Sequence, residues 1–285
     1  MASRLIRSAL YIPACNQKVV AKGDSLGADA VILDLEDSVA PDSKQTARDR
    51  LLNLPQPLGL RVVRVNGANM PWHKDDITAA LRIAPHALLL PKASTQEDIW
   101  SFKRRIALQR PKSNIAIWAM IETPLGVLNA AAIASTLGPD GALVMGLNDL
   151  AKETGMLQVQ GRTPMLSALA STVMAARAHG AAILDSVYND LTDEQGFIAE
   201  CQQGRQFGFD GKTVIHPRQI GPANTIFAPS EAEITEAKAI IAAFSLPENT
   251  DKGVIAMGSR MVERLHLDMA LTVLNRAATI SARGQ

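Results

Sequence analysis

Eight short apolar runs, each followed by a segment compatible with a helix, constrain the fold of this chain more than any other feature. Continuous rather than alternating apolar runs indicate strands buried on both faces, as in a parallel sheet covered by helices. The helix-compatible segments lie at 42–53, 95–109, 125–137, 165–179 and 193–206. The apolar runs are SALYIP (8–13), AVILDLED (30–37), RVVRVN (61–66), ALLLPK (87–92), IAIWAMIE (115–122), ALVMG (142–146), AAILDSV (181–187) and TVIHP (213–217).

This alternation predicts an α/β fold, and eight βα units over about 220 residues are typical of a TIM (β/α)8 barrel. A doubly wound open sheet is the alternative, but neither GxGxxG nor GxxxxGK[ST], the phosphate-binding signatures of such sheets, occurs in the chain. The pattern changes after the eighth run, where two helices are predicted at 231–244 and 259–281, joined by SLPENTDKG. We therefore predict a barrel domain at 1–228 and a C-terminal helical appendage at 229–285.

Composition narrows the function classes. The chain has 285 residues, 47% of them hydrophobic, which is ample for a core, and its 29 basic and 28 acidic residues are balanced without a basic run. A nucleic-acid surface is therefore not expected. Cys15 and Cys201 show no metal-ligand spacing, which suits a reducing cytoplasm, and no run reaches the roughly 20 apolar residues of a membrane span. We expect a cytoplasmic protein without a signal sequence that acts on a small molecule.

Ionisable residues follow seven of the eight predicted strands. Because the carboxyl ends of parallel strands meet at one mouth of a barrel, these side chains are expected to line a single site. A polar strand end can also simply reach solvent, but solvation alone explains one such residue more easily than seven. The strand-end residues are Asp34, Glu36, Asp37, Arg64, Asn66, Lys92, Glu122, Asn148, Asp149, Asp185 and His216.

Two of these carboxylates are the best candidates for a metal site. Glu122 and Asp149 follow neighbouring strands, and Mg²⁺ typically takes one or two carboxylates together with water or substrate oxygens. The carboxylates at 34, 36 and 37 could be the ligands instead. We interpret them as a charge network with the basic residues at 64 and 92.

Arg64 is a candidate for binding a substrate carboxylate, because a planar guanidinium can donate two parallel hydrogen bonds. An internal ion pair with Asp34 or Glu36 explains Arg64 equally well. His216 precedes a proline and is interpreted as structural. A cation, an anion-binding arginine and a cleft together suit chemistry that forms an enolate or binds an α-keto acid.

Seven motifs lie in order along the chain: LYIPA, VILDLEDSVAPDSKQTAR, RVNGANMPWHKDDI, LPKAST, IETPLGVLNAAAIA, GLNDLA and FGFDGKTVIHPRQI. The strongest are DLEDSVAP, IETPLGVLNA and GFDGKTVIHP. Together they resemble the citrate lyase β-subunit family, within the wider HpcH/HpaI aldolase and malyl-CoA lyase superfamily. The resemblance spans essentially residues 7–270.

The resemblance implies a TIM barrel with a C-terminal helical lid, Mg²⁺ as cofactor, and cleavage or formation of a C–C bond in a citryl, citramalyl or malyl thioester. The products would be an α-keto acid and an acyl-CoA, or its acyl-carrier-protein equivalent. By motif position, Glu122 and Asp149 resemble the Mg²⁺ ligands and Arg64 the carboxylate-binding arginine. Lys44 and Arg48 resemble positions near the thioester carrier, although solvated helix charges explain them equally well.

The lid departs from the family pattern. Relatives often carry G-[KR]-M-[IV]-D-x-P, whose Asp is the acid/base in the active site of a neighbouring subunit, whereas this chain has GSRMVERLH. Glu263 stands at the Asp position and Leu265 at the Pro position, and Asn148 stands where many relatives have an acid. A Glu can also transfer a proton, so the resemblance implies a catalytic Glu263 and a homo-oligomer, a trimer or hexamer.

Two other functions remain open from the sequence. One is a class II pyruvate-type aldolase that uses free aldehydes. The other is a catalytically lapsed homologue that binds keto acids, since the lid motif is altered.

Overall fold

The computed structural model describes residues 5–15, 26–52, 59–109, 111, 114–138 and 140–283. Its contacts divide the chain into two compact units, Met1–Phe227 and Ala228–Gln285. No helix among the described residues is long and apolar enough to cross a membrane.

Eight parallel strands of the first unit close into a barrel in sequence order, so the predicted TIM barrel is confirmed. The barrel closes where the first strand pairs with the eighth, with Ser8 opposite Lys212 and Leu10 opposite Val214. Each strand lies at the position of one predicted run. The strands are β1 (Ser8–Pro13), β2 (Ala30–Asp34), β3 (Leu60–Arg64), β4 (Ala87–Leu90), β5 (Ala116–Ile121), β6 (Ala142–Met145), β7 (Ala182–Asp185) and β8 (Gly211–Val214).

Helices follow the strands, and several begin at a residue whose side chain caps the first turn. Thr95 caps the helix after β4 with a reciprocal hydrogen-bond pair to Asp98. The described helices of this unit are α1 (Lys44–Leu51), α2 (His73–Arg82), α3 (Gln96–Leu108), α4 (Pro124–Leu128), α5 (Ala130–Leu137), α6 (Leu147–Thr154), α7 (Leu166–Ala178), α8 (Glu194–Phe207) and α9 (Ile220–Ile226).

Two buried clusters show which strand residues face the barrel interior. One cluster fills the barrel with alternate residues of the strands, such as Ile32, Val62, Met120 and Leu184. The other contains the intervening strand residues together with the inner faces of the helices. Since successive side chains of a strand point to opposite faces, these clusters fix the direction of every strand-end residue.

The second unit contains two helices, α10 (Glu231–Phe244) and α11 (Arg264–Ala282), and a two-stranded antiparallel sheet, β9 (Val254–Met257) and β10 (Arg260–Glu263). The helix predicted at 259–281 is therefore wrong over its first turn. Residues 260–263 pair with 254–257 instead, and Gly258, at a φ of 61°, opens the tight turn between the strands. Phe244, Ile255 and Val262 belong to the core of this unit.

Candidate metal and substrate site

Three ionisable side chains point inward from the carboxyl ends of the barrel strands. Asp34, Arg64 and Glu122 continue the alternation of Ile32, Val62 and Met120, the interior residues two positions before them. All three are buried, with 1%, 8% and 1% of their surfaces exposed. Alternation therefore directs these three side chains, at the ends of β2, β3 and β5, into the mouth of the barrel.

Arg64 is paired inside the protein with Asp34. Its Nε donates to Asp34 Oδ1 at 2.8 Å and its Nη2 donates to Asp34 Oδ2 at 2.7 Å, which uses one edge of the guanidinium. Its Nη1 lies 3.1 Å from Glu36 Oε2, a charge contact without hydrogen-bond geometry. The guanidinium also lies over the Tyr11 ring, 4.9 Å from the centroid. The internal ion pair considered from the sequence is thus present.

The pairing with Arg64 affects the pKa values of Asp34 and Glu36 differently. Burial by itself would raise the pKa of Asp34, but the Arg64 charge and the hydrogen bonds to Asp34 hold that pKa below its usual value. Burial raises the pKa of Glu36 to about 8, even though Arg64 works against the shift. Asp34 is therefore the permanent counter-ion of Arg64, and Glu36 is the weaker partner.

Glu122 has one oxygen engaged and one free of hydrogen bonds. Its Oε1 accepts the main-chain N–H of Lys92 at 2.8 Å, whereas its Oε2 is fully buried without a hydrogen-bond partner. Burial raises the pKa of Glu122 to about 7, and the negative charge of Asp149 adds to the shift. A buried polar atom without a partner is costly, so it points to a group that completes it.

Gly146 makes room for this carboxylate. It follows β6 directly, and a Cβ at this position would lie 2.6 Å from both Cβ and Oε2 of Glu122. Only a residue without a side chain allows the two strand ends to approach this closely.

Asp149 is the second candidate ligand, and it stands in the first turn of α6. Its side chain is 24% exposed, and its Oδ1 lies 3.5 Å from the Lys92 ammonium. Burial alone would lower the pKa of Lys92, but Asp149 and the other nearby carboxylates raise it above its ordinary value. Lys92 therefore contacts both candidate metal ligands, one through its main chain and the other through its side chain.

The donor set fits magnesium. Among the described residues no group of three or more His, Cys, Asp or Glu side chains is arranged as a metal site. A metal bound here would rely on Glu122 and Asp149 and would complete its shell with water or substrate oxygens, which is the usual arrangement for Mg²⁺. The buried Oε2 of Glu122 has no hydrogen-bond partner, and a bound cation would provide one for it.

A cleft of about 490 Å³ is lined in part by Lys92, the residue that contacts both candidate ligands. Met70 and Trp72 give it apolar surface, and Lys92, Glu36 and Asp37 give it charge. Lys44 also lines it, but its ammonium donates to the carbonyls of Leu35 and Glu36 and to the side chain of Asn66, at 2.7–2.8 Å.

Arg48 is held in the same way. It forms a buried ion pair with Asp76 at 3.0 Å and donates to Gln45. The solvated helix charges considered from the sequence are wrong for both residues, since Lys44 is 5% and Arg48 7% exposed. Contact of Lys44 and Arg48 with a thioester stays a prediction.

Asp185 does not line the mouth as predicted, and His216 makes a structural contact. Asp185 shares the parity of Ile183, which faces the helices, so its carboxylate lies outside the barrel and pairs with Arg162 at 2.7 Å and Lys212 at 3.2 Å. His216 caps a short 3₁₀ helix by accepting the Arg218 N–H, in line with its structural interpretation. The direction of Asp185 follows from the alternation of side chains along β7, and the role of His216 follows from its hydrogen bond to the 3₁₀ helix.

Glu263 belongs to the second unit, where it ends β10 and precedes α11. It is half-buried, and its main-chain N–H donates to His266 Nδ1 at 3.0 Å. Its role in proton transfer stays a prediction.

Sequence reasoning missed the roles of Gly146 and Lys92. The glycine directly after an apolar run was a signal of close approach that could have been read. The sequence carries no such signal at Lys92. Its contact depends on a backbone φ of 54°, which is uncommon for a residue with a side chain and which the sequence does not predict.

Comparison with known proteins gives the family of the chain. The model of the family described as HpcH/HpaI aldolase/citrate lyase matches residues 7–217. The chain belongs to this family. The family match and the citrate lyase relatives make it an enzyme of the carbon–carbon lyase type.

Two groups of relatives cover nearly the whole chain. A (3S)-malyl-CoA thioesterase of Cereibacter sphaeroides is 43% identical over 282 residues, covering 98% of this chain and 96% of the relative. The citrate lyase subunit beta of Escherichia coli is 33% identical over 284 residues, covering 96% of this chain and 94% of the relative.

Solved structures of citrate lyase beta-type proteins are also similar to this chain. CitE of Mycobacterium tuberculosis, in complex with magnesium, acetoacetate and coenzyme A, is 29% identical, has a TM-score of 0.80, and covers 95% of this chain and 97% of its own. A citrate lyase beta subunit of the same organism, complexed with oxaloacetate and magnesium, has a TM-score of 0.70 at 29% identity, covering 80% of this chain and all of its own. The predicted cofactor is therefore the metal found in these neighbours.

Proposed function

We propose that this enzyme is a magnesium-dependent lyase that cleaves or forms a citryl-, citramalyl- or malyl-type CoA thioester, with an α-keto acid and an acyl-CoA on the other side of the reaction. The observation that carries the proposal is the buried, unpaired Oε2 of Glu122 beside the Asp149 carboxylate. One neighbour in complex with magnesium, acetoacetate and coenzyme A and another with oxaloacetate and magnesium support the substrate class.

In this proposal Glu122 and Asp149 hold the metal, and Arg64 holds the carboxylate of the keto acid. Asp34 occupies the Nε and Nη2 atoms of Arg64, so the substrate carboxylate would bind at Nη1, where it competes with Glu36. Bound magnesium supplies Lewis-acid stabilisation of the negative charge that develops on oxygen. Asp34 keeps the guanidinium fixed while this happens.

Glu263 is the proposed acid/base. In the cleavage direction its carboxylate accepts the proton of the β-hydroxyl group, the bond between the carbinol carbon and the thioester α-carbon breaks, and the electron pair passes to the thioester enolate. The same proton then returns to the enolate carbon, which gives the acyl-CoA and the keto acid. We further propose that Glu263 acts in the site of a neighbouring subunit, so that the enzyme is a homo-oligomer.

The thioester arm is proposed to enter through the cleft that Met70, Trp72 and Lys44 line. Arg48 lies behind the wall of this cleft, because it pairs with Asp76, which accepts a hydrogen bond from the lining residue Asn66. Both basic side chains are buried with internal partners. Their proposed contribution is therefore to fix the cleft rather than to offer a free charge.

Hydrolysis of the same kind of thioester is the second candidate function. It is favoured by relatives named (3S)-malyl-CoA thioesterase, which are 43–44% identical to this chain, against 31–34% for the citrate lyase subunits. A metal and an anion-binding arginine could serve either reaction, because both act on the same anionic thioester, so the site geometry suits either.

The two reactions release different products from (3S)-malyl-CoA. Cleavage gives glyoxylate and acetyl-CoA, whereas hydrolysis gives malate and the free thiol of CoA. Phenylhydrazine detects the keto acid and a disulfide reagent detects the thiol, so one reaction mixture can be divided between both assays. The lyase proposal expects glyoxylate without free thiol, and only with Mg²⁺.

Thiol release without keto acid would replace the lyase by the hydrolase. The Glu122→Gln variant is the matched control, because it keeps the side-chain volume but removes a charged oxygen ligand. Citramalyl-CoA and citryl-CoA, tested in the same way, would identify the acyl group.

A further inference from the structure

Lys92 lies between the two carboxylates of the proposed metal site. Its main-chain N–H donates to Glu122 Oε1 at 2.8 Å, and its ammonium lies 3.5 Å from Asp149 Oδ1. Strand β4 ends two residues before it, and its backbone turns into the left-handed region at a φ of 54°. One residue therefore supplies a donor to one carboxylate and a positive charge to the other.

The unusual backbone conformation has a structural consequence. Left-handed backbone is disfavoured for residues with a Cβ and persists where the surroundings hold it in place. Here the conformation accompanies the donation from Lys92 N–H to Oε1, while Glu122 Oε2 keeps no hydrogen bond. Lys92 thus fixes the orientation of the proposed ligand through its main chain.

We propose that the Lys92 side chain is a built-in counter-ion of the metal site, which neutralises Asp149 in the metal-free enzyme and is displaced when magnesium binds. Two carboxylates that repel each other need a cation, and the Lys92 ammonium is the cation that the structure places beside Asp149. A divalent ion on Glu122 and Asp149 would repel the ammonium at this distance. Lys92 is therefore a positioning residue that exchanges with the metal.

This inference rests on the proposed metal site. Removing a residue of the site should strengthen metal binding, because the metal no longer has to displace the ammonium. Lys92→Met removes the ammonium but keeps an unbranched side chain as far as the ε position, together with the main-chain N–H. We expect it to bind Mg²⁺ about three- to tenfold more tightly, the effect of removing one partly exposed competing charge.

The matched control is Lys152→Met, which removes an exposed lysine from α6, the helix that carries Asp149. Its Mg²⁺ affinity should change less than twofold, since Lys152 is exposed to solvent that screens its charge and the ion pair of Asp149 is with Lys92. Isothermal titration of both variants and the parent with MgCl₂ measures the effect. Lys92→Gln serves as a second variant if the methionine variant folds poorly.

Thermal unfolding gives an independent readout. In EDTA, Lys92→Met should unfold about 1–3 °C below the parent, because Asp149 has lost its counter-ion. In saturating Mg²⁺ this difference should disappear, because the metal then neutralises Asp149 in both proteins. A purely structural role for the side chain would leave the same deficit under both conditions.

The outcomes separate this inference from the proposed function. If the parent binds Mg²⁺ and Glu122→Gln does not, the metal site stands, and unchanged or weaker binding by Lys92→Met overturns the counter-ion alone. An equal thermal deficit with and without Mg²⁺ also overturns it. If the parent binds no Mg²⁺, the metal site and the counter-ion both fail.

Discussion

Gly146→Ala tests the central contact of the site, the close approach of the residue after β6 to Glu122. The new Cβ would lie 2.6 Å from both Cβ and Oε2 of Glu122 and 2.8 Å from Met120 Cε. The φ of Gly146 is −121°, which alanine adopts without strain, so the effect is steric. The neighbouring Glu122 Cβ cannot rotate away, because it is attached directly to the backbone.

The expected cost follows from this overlap. Overfilling a close-packed interior destabilises a protein by about 1–3 kcal/mol, and we expect a loss in this range in urea unfolding. Shifting the Glu122 carboxylate should also weaken Mg²⁺ binding by about 10- to 100-fold, as for other residues that support metal ligands. Calorimetric titration with MgCl₂ measures the second effect.

Gly221→Ala is the control, because a Cβ there meets nothing within 4 Å and the residue lies in helix α9. Alanine should leave Mg²⁺ binding unchanged and stabilise the helix by up to about 1 kcal/mol. A Gly146→Ala protein with the stability and Mg²⁺ affinity of the parent would refute the argument, since Glu122 could not then lie against Gly146.

Three further results are expected. Mg²⁺ affinity should fall by about tenfold for each pH unit below 7, because the pKa of Glu122 is raised to about 7 and the bound proton must leave before the metal can bind; titrations from pH 5.5 to 8.5 measure the slope. Asp34→Asn should lower the free energy of unfolding by about 3–5 kcal/mol, since it leaves the Arg64 guanidinium buried without its counter-ion; urea unfolding measures it. Glu263→Gln should retain Mg²⁺ binding but lose turnover, and mixing it with inactive Glu122→Gln should restore partial activity if the two residues complete one site from different subunits.

Each result can fail in its own way. A flat pH profile down to 5.5 would show that the metal does not compete with the Glu122 proton. Loss of less than about 1 kcal/mol in Asp34→Asn would show that Arg64 has another partner, since a broken buried pair costs more. Full activity of Glu263→Gln alone, or no recovery despite demonstrated subunit exchange, would remove Glu263 from the mechanism.

The barrel could be predicted because its strands are short and most of them are largely apolar. Each of the eight runs overlaps a strand, although β8 begins two residues before its run and shares only Thr213 and Val214 with it. The hairpin at 254–263 could not be predicted in this way. Its strands have only four residues each, which is too short for a clear alternation. The composition from residue 259 onward also suits a helix, and residues 260–263 form a strand because they pair with residues 254–257.

By itself, the sequence determined the candidate residues of the site but not their directions. It placed Glu122, Asp149 and Arg64 at the strand ends, where a barrel assembles its active site. Which strand ends point inward was decided by the closed barrel. In strands buried on both faces the two sets of alternate residues are equally apolar, so no pattern marks the interior set.

Asp185 and Glu122 illustrate the difference, because both end apolar strands with a carboxylate. Glu122 continues the interior set of β5 and keeps an unpaired oxygen at the mouth, whereas Asp185 continues the outer set of β7 and is neutralised by Arg162 and Lys212. Only the tertiary structure brings Lys92 onto both Glu122 and Asp149, since their contacts join the ends of separate strands and depend on a backbone angle that the sequence does not encode locally.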